Sequence, residues 1–248
     1  MKKIIVLLFA LMTTIVHADT ITILNNGKAG GSFNARSTMY NDALTLKGYK
    51  VKWENIGKIS QAVKVFETAT EPTMMVYSTN QSNKRGLFNN KDNFVLLEYE
   101  QPMHICTRNE SIGKSGTITV AHGKGYDPSV LQTLLGKNIV LVPYKNSGAI
   151  LKGMLGGDVD VMVNNQGKSL KYAASGKGTC TVSERLPMMH ATVIAKNVDL
   201  AKLRLALKDI VLNDPLFVQY HSTRQLEVIN LPREMELEIV QGSEKAWK

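Results

Sequence analysis

The run from Ile139 to Asn165, IVLVPYKNSGAILKGMLGGDVDVMVNN, constrains the fold more than any other part of the chain. It reads as a buried strand (Ile139 to Val142), a polar turn (Pro143 to Ser147), a short helix, and a second buried strand (Val159 to Val163). Continuous apolar runs joined by a helix are the pattern of a parallel βαβ unit, because helices cover both faces of such a sheet. Ligands of open parallel sheets sit at the carboxyl ends of the strands. The turn Tyr144-Lys145-Asn146-Ser147-Gly148 is therefore a candidate binding loop, with an ordinary capped βα turn as the alternative.

The same alternation runs through the rest of the chain. A strand from Thr20 to Leu24 leads into the glycine-rich turn Asn25 to Gly31. Ser32 is placed to cap a helix reaching Leu46, with Met39, Ala43 and Leu46 on one face. A strand from Tyr49 to Glu54, a helix capped by Ser60 and a strand from Thr73 to Tyr77 follow, ending in the polar loop Ser78-Thr79-Asn80-Gln81. That is half of a doubly wound α/β sheet. Strands over Phe94–Glu98 and Met103–Thr107 flank Pro102. A second unit begins with strand Thr117–Ala121 and loop His122-Gly123-Lys124-Gly125, and its helix starts at Asp127-Pro128. A helix over Gly167–Ala174 and a strand over Gly178–Ser183 close that unit. From Asp199 the chain reads as helical, with Leu200, Leu203, Leu207 and Ile210 as an apolar stripe, and a final helix begins near Pro232.

The first residues read as an address. Met1-Lys2-Lys3 is basic, Ile4 to Ile15 is mostly apolar, and Val16-His17-Ala18 is a small-x-small site. This is the pattern of a secretory signal peptide over residues 1–18, with Asp19 as the mature N-terminus and a bacterial periplasm as the destination. Its removal lowers the formal net charge from +9 to +7. The lysines are scattered, with no basic run or aromatic-basic motif, so nucleic acid is excluded as a partner. A modest positive field favours small anions in a cleft.

The chain has two cysteines, Cys106 and Cys180. In an oxidising compartment an even pair reads as a disulfide, which would close a loop of about 75 residues and contribute roughly 4 to 4.5 kcal/mol in the chain-entropy model. Two buried free thiols are the alternative. Catalytic and cofactor motifs fail. Gly113-Lys114-Ser115 lacks the earlier glycine of a phosphate loop, and Gly123-x-Gly125 meets Pro128 where a dinucleotide fingerprint needs its third glycine. No metal spacing links the histidines, and no nucleophile elbow is present. The reading is of a binding protein, not an enzyme, with no cofactor and no metal.

Several motifs together resemble one family, the extracytoplasmic receptors of tripartite tricarboxylate transporters, or Bug proteins. Val142-Pro143-Tyr144-Lys145-Asn146-Ser147 and Leu155 to Asn164 are similar to that family's VPYKGS and LLGGQVDVMFD. His122-Gly123-Lys124-Gly125 with Asp127-Pro128 resembles SSGVGSP, and Ala29-Gly30-Gly31-Ser32-Phe33-Asn34 resembles PGGSTD. Glu54-Asn55 is similar to the end of VVEN. The resemblance runs over about residues 20 to 184 and implies an α/β, type II periplasmic binding-protein fold, two doubly wound lobes joined by hinge strands. Lobe one would comprise 19–102 plus 187–248, and lobe two 103–186. It implies a monomer that traps a small organic anion, a carboxylate, and hands it to integral membrane transporter subunits. A sensory receptor and an exported non-transport protein on the same scaffold are the rival readings. Gly30, Gly31, Ser32, Phe33, Asn34, Ser78 and Asn80 would face the ligand from lobe one. His122, Gly123, Gly125, Tyr144, Asn146, Ser147 and Asn164 would face it from lobe two, with Tyr144 and Phe33 walling the pocket. Asn34 and Asn164 stand where the family carries acidic residues.

Overall fold

The computed structural model describes residues 20–81, 87–109, 116–123, 126, 128–136 and 138–247. The expected signal peptide, Gly113 to Ser115, Gly125 and the Asp127 cap lie outside the described residues. Eleven strands form two sheets. In the first, β1 (Thr20–Asn25) pairs in parallel with β2 (Lys50–Asn55) and β3 (Thr73–Ser78). β3 pairs antiparallel with β10 (Met189–Lys196), β10 with β4 (Phe94–Gln101), and β4 with the short β11 (Glu227–Val228). In the second, β6 (Ile118–Gly123) lies parallel to both β7 (Ile139–Tyr144) and β8 (Val161–Asn165). β5 (Met103–Arg108) runs antiparallel to β8 and to β9 (Gly178–Val182).

The period of two in the strands sorts the core of the first sheet. Ile21, Ile23, Met74, Val76, Val193 and Ala195 face α1 (Ser32–Leu46), α6 (Leu200–Asn213) and α7 (Pro215–Ser222), where they meet Tyr40, Leu44, Leu203, Leu207 and Phe217. The alternate residues Leu24, Met75, Tyr77 and Ile194 face α2 (Ile59–Thr68) and α8 (Arg233–Ala246), against Val63, Phe66 and Val240. In the second sheet Cys106, Ala121 and Met162 face α4 (Ser147–Gly156) and α5 (Gln166–Ala173). Val120, Val161 and Val163 face α3 (Pro128–Leu135) through Leu131.

Several sequence expectations differ in detail. Ser32 is the first helical residue of α1, not its cap: Gly31 holds that position and no side chain caps the helix. Leu46 is 85% exposed, and the buried stripe of α1 runs instead through Arg36, Ser37, Tyr40, Ala43 and Leu44. Lys58, not Ser60, precedes α2. β7 is an edge strand with Val140 open to solvent, since β6 lies between it and β8. The return from the second sheet is a strand, β10, before it is helical. β10 occupies the middle of the first sheet, where Ala191, Thr192 and Val193 are fully buried.

Cys106 and Cys180 are directly opposite each other on β5 and β9 and form a disulfide. It ties the edge strand β9 to the sheet.

Two buried carboxylates organise the first sheet. Glu98 on β4 takes the Arg36 guanidinium at 2.8 Å from Nε and 2.5 Å from Nη2, and the Tyr40 hydroxyl at 2.8 Å, all on Oε2. His221 Nε2 lies 3.1 Å from Oε1. Glu236, at the start of α8, receives Arg204 at 2.8 Å, Lys208 at 2.6 Å and the Leu97 amide at 3.0 Å. Burial alone would raise the Glu98 carboxyl, but Arg36 and His221 overcome it and hold it below the ordinary carboxylate range. A depressed folded value means that this stabilisation is complete above the ordinary value near 4.5 and is lost as pH falls through the folded one. Glu98→Gln, which leaves Arg36 buried without its counter-charge, is expected to cost about 3 to 5 kcal/mol, a fall in melting temperature of about 6 to 20 °C. Thermal melting at pH 7 checks this, and a loss under about 2 °C would contradict it.

Candidate functional site

The topology brings one edge of each sheet together. β3 and β4 both pair antiparallel with β10, so the end of β4 lies at the same edge as the ends of β1, β2 and β3. Gln101 ends β4 and Met103 begins β5, with only Pro102 between. β5 runs against β8, so its start lies at the edge where β6, β7 and β8 end. The second crossover, residues 183–188, returns from β9 to β10 at the same place. Carboxyl ends of the parallel strands in both sheets therefore meet at the two crossovers, the position where open α/β sheets bind ligands.

On the first-sheet side, amides line this edge. Asn25 Nδ2 donates to Asn34 Oδ1 at 2.8 Å and to Asn55 Oδ1 at 3.0 Å, while its own Oδ1 accepts the Gly27 amide at 3.1 Å. Asn26 Nδ2 donates to Val76 O at 2.7 Å. These bonds fix the glycine-rich loop against the start of α1. Gly27 is required there, since a Cβ would fall 2.3 Å from the Asn34 backbone nitrogen. Gly30 adopts φ +76°, a conformation open to glycine and strained for other residues. The start of α1, which no side chain caps, presents backbone N–H groups and the positive end of the helix dipole at Ser32 and Phe33, while the Gly31 N–H is taken by the Lys28 carbonyl at 2.9 Å. Ser78 Oγ donates to Asn80 Oδ1 at 2.7 Å, and Asn80 Nδ2 donates to Tyr126 Oη at 3.1 Å, reaching the other sheet's loop.

On the second-sheet side, Asn164 is buried and bonds in two directions. Its Nδ2 donates to the Ser147 carbonyl at 3.0 Å, and its Oδ1 accepts the Asn165 amide at 3.0 Å. It thereby joins the loop after β7 to the start of α5. Asn146 and Asn165 cap α4 and α5, accepting from Ala149 and Lys168 at 2.8 and 3.1 Å. His122 and Gly123 belong to the end of β6 rather than to a loop. His122 is buried, with Nδ1 2.9 Å from the Gly123 carbonyl, so Nδ1 carries the proton of the neutral ring. Burial lowers its basicity against the opposing pull of that carbonyl. Burial also lowers His104 and His190, the latter against the pull of Glu100.

The structure thus groups Asn146, Ser147 and Asn164, and separately Asn34 with Asn25, and Ser78 with Asn80. Gly30, Gly31 and Ser32 lie at the start of α1. The two rings expected to wall a pocket pack on the cores beside them. Phe33 lies against the cluster of Ile21 and Tyr40, and Tyr144 against Gly153 of α4 and the cluster of Met162. Sequence reasoning missed Asn25, Asn26 and Tyr126. Twin asparagines ending an apolar strand were a usable signal, because a buried strand end needs side chains to satisfy its loop. Tyr126 had none, since its partners come from Asn80 and from the far C-terminus. A cavity of about 560 Å³ lies away from the aligned edges on the first-sheet half, lined by Phe66, Glu67, Asn90, Asp92 and Lys196 among others.

No protein-family model matches the chain, and no curated protein matches it. Solved structures do. The periplasmic binding protein BugD is 18% identical and aligns at TM-score 0.70 over 92% of this chain and 95% of its own. MatC from Rhodopseudomonas palustris, with bound malate, is 16% identical at TM-score 0.68, covering 92% and 97%. A second R. palustris protein, with adipate, is 11% identical at TM-score 0.69, covering 94% and 96%. The likeness establishes the fold of this chain as a type II periplasmic binding-protein fold of two doubly wound lobes joined by hinge strands.

Asn164→Leu removes both bonds from a buried position and leaves the Ser147 carbonyl and Asn165 amide without those partners. The expected cost is about 1 to 3 kcal/mol, read by urea unfolding. The lowered histidines set a pH dependence. The unfolded chain binds protons that these buried rings refuse, so stability falls as pH drops below their ordinary value near 6.5. Unfolding midpoints at pH 7.5 and 5.5 check the sign, and a higher midpoint at pH 5.5 would contradict it.

Proposed function

We propose that this chain is an extracytoplasmic solute-binding receptor of the Bug type, which traps a small organic anion, a carboxylate, between its lobes. Lobe one comprises 19–102 plus 187–248, and lobe two 103–186. The bound form is delivered by a monomer to integral membrane transporter subunits, in the periplasm that the residues 1–18 leader addresses. One observation carries the reading: loops ending β1, β3, β6, β7 and β8 converge on a double crossover, with helix starts at α1, α4 and α5 among them. Helix N-termini offer unpaired N–H groups and positive potential to an anion without needing a cationic side chain.

In this reading the amides of Ser32 and Phe33 hold one carboxylate, and the loop at Asn146 and Ser147, braced by Asn164, holds the other end. Asn34 and Asn164 are neutral where the family is acidic. An amide accepts and donates hydrogen bonds but gives an ammonium group no counter-charge, so amino acids are poorer ligands here than unsubstituted or hydroxylated carboxylates. The malate and adipate of the solved structures named above support carboxylate as the class.

A panel of mono-, di- and tricarboxylates, amino acids and phosphonates, tested by thermal melting, decides the matter. At a hundredfold excess over Kd a true ligand stabilises by about 2.7 kcal/mol, a rise of roughly 5 to 11 °C. A carboxylate is expected to give that shift. No response across the panel, from protein freed of bound solutes by unfolding and refolding, would overturn the proposal.

A further inference from the structure

The space between the converging edges is crossed by aromatic packing that ligand binding does not call for. Tyr126, just after β6, stacks on Trp247 at the end of α8, with ring centroids 5.2 Å apart and planes 24° from parallel. α8 belongs to the other sheet. Val240 packs in that sheet's core, and Glu236 accepts the Leu97 amide of β4. The end of α8 is also fixed to the second crossover. Trp247 Nε1 donates to the Met188 carbonyl at 3.2 Å, and Ser243 Oγ lies 3.0 Å from the same carbonyl and 3.0 Å from Thr79 Oγ1. Thr79 in turn accepts the His190 amide at 3.1 Å. Tyr126 adds the bond from Asn80 and lies 3.9 Å from the Met103 sulfur at the first crossover. Around the stack a single apolar cluster runs from Tyr99, Met189 and Tyr220 on one side to Met103, Val120 and Val163 on the other.

From this geometry we infer that Tyr126 and Trp247 form a latch between the lobes, so that the C-terminal helix sets the balance between open and closed forms before any ligand binds. Tyr126 acts on capture as a positioning residue, through closure. The physical reason lies in which contacts survive opening. Bonds within α8, Thr79, Met188 and His190 belong to one body, and opening leaves them in place but uncovers their amides to water. The stack and the Asn80 bond join one lobe to the other and must break. A stacked aromatic pair shifts such an equilibrium by a factor of about 3 to 10 beyond the area it buries. A closed fraction raised in the free protein raises apparent affinity by the same factor. The inference rests on the two-lobe reading proposed above, but not on the identity of the ligand.

Hydrogen exchange on the ligand-free protein tests it, comparing wild type with Tyr126→Leu and Tyr126→Phe. The latch predicts that Tyr126→Leu quickens exchange about threefold to tenfold in three segments together: 164–166, 183–190 and 243–247. Exchange in β3, which lies inside one sheet, stays unchanged, and Tyr126→Phe, which keeps the ring but loses the Asn80 bond, quickens exchange less than Tyr126→Leu does. Quickening confined to 243–247 would mean that the stack only seals the end of a helix, and would overturn the latch. So would equal quickening in β3, the sign of general destabilisation. If Tyr126→Leu does not fold, the wild-type protein decides by itself: a shared opening rate for the three segments, faster than that of β3, upholds the latch, and unrelated rates overturn it. Because no ligand enters the experiment, a silent carboxylate panel leaves its outcome readable.

Discussion

Glu98 is a carboxylate with no exposure to solvent, and the presentation of the first binding loop depends on how its charge is met. An isolated ion in such a place would be unsustainable, and a buried pair is tolerable only when every polar atom is engaged. Arg36, Tyr40 and His221 engage it from α1 and α7, while Arg36 also reaches the Thr192 carbonyl of β10 at 3.2 Å. Three elements, α1, α7 and β10, are thereby locked to β4 three residues before that strand ends at Gln101. α1 is the helix whose uncapped start forms one wall of the cleft, and β4 is the strand that crosses to the other sheet. The ion cluster thus joins loop and crossover in one rigid unit. Glu236 repeats the device, joining α6 and α8, which pack on opposite faces of the sheet, to the same strand through Leu97. With both faces of β4 held, the proposed closure of the lobes would turn on the short links at Pro102 and residues 183–188.

This arrangement separates rigidity from recognition. The groups offered to a ligand are backbone amides and asparagine side chains held in place by one another, as in the Asn25–Asn34–Asn55 set. The full charges sit a layer behind and neutralise each other. A site of that kind favours an anion through oriented dipoles and stays indifferent to which anion, within the limits of shape. It also needs closure to work, because dipoles at strand ends are weak in water and strong when water is excluded. In the proposed receptor, contacts between lobes would therefore set affinity together with those to the ligand.

Much of this was legible in the sequence, for reasons that can be named. Apolar runs such as Thr73–Tyr77 and the stripe of Leu200, Leu203, Leu207 and Ile210 marked the alternation of strand and helix, and the spacing of two such units pointed to two sheets. What stayed hidden were features made by distant partners. β10 was not read as a strand, although Pro187 and Asn197 bracket its apolar run, and it sits in the middle of the first sheet between β3 and β4. Leu46 was assigned inward from its period, whereas the buried stripe of α1 includes an arginine. Arg36 is inside only because Glu98, 62 residues away, is there to receive it. The loop glycines and the Asn146–Ser147 turn were readable as candidates because helix starts after strands have local signatures. Tyr126 was not, since its stack with Trp247 joins residues at opposite ends of the second half of the chain.

The most direct measurement is a crystal structure with the carboxylate that stabilises the protein best. The account predicts that ligand to lie where the ends of β1 and β3 meet those of β6, β7 and β8, with one carboxylate on the amides of Ser32 and Phe33 and contact to the Asn146–Ser147 loop. Density for the ligand in the cavity beside Phe66 and Lys196, with the space between the sheets unoccupied, would contradict it.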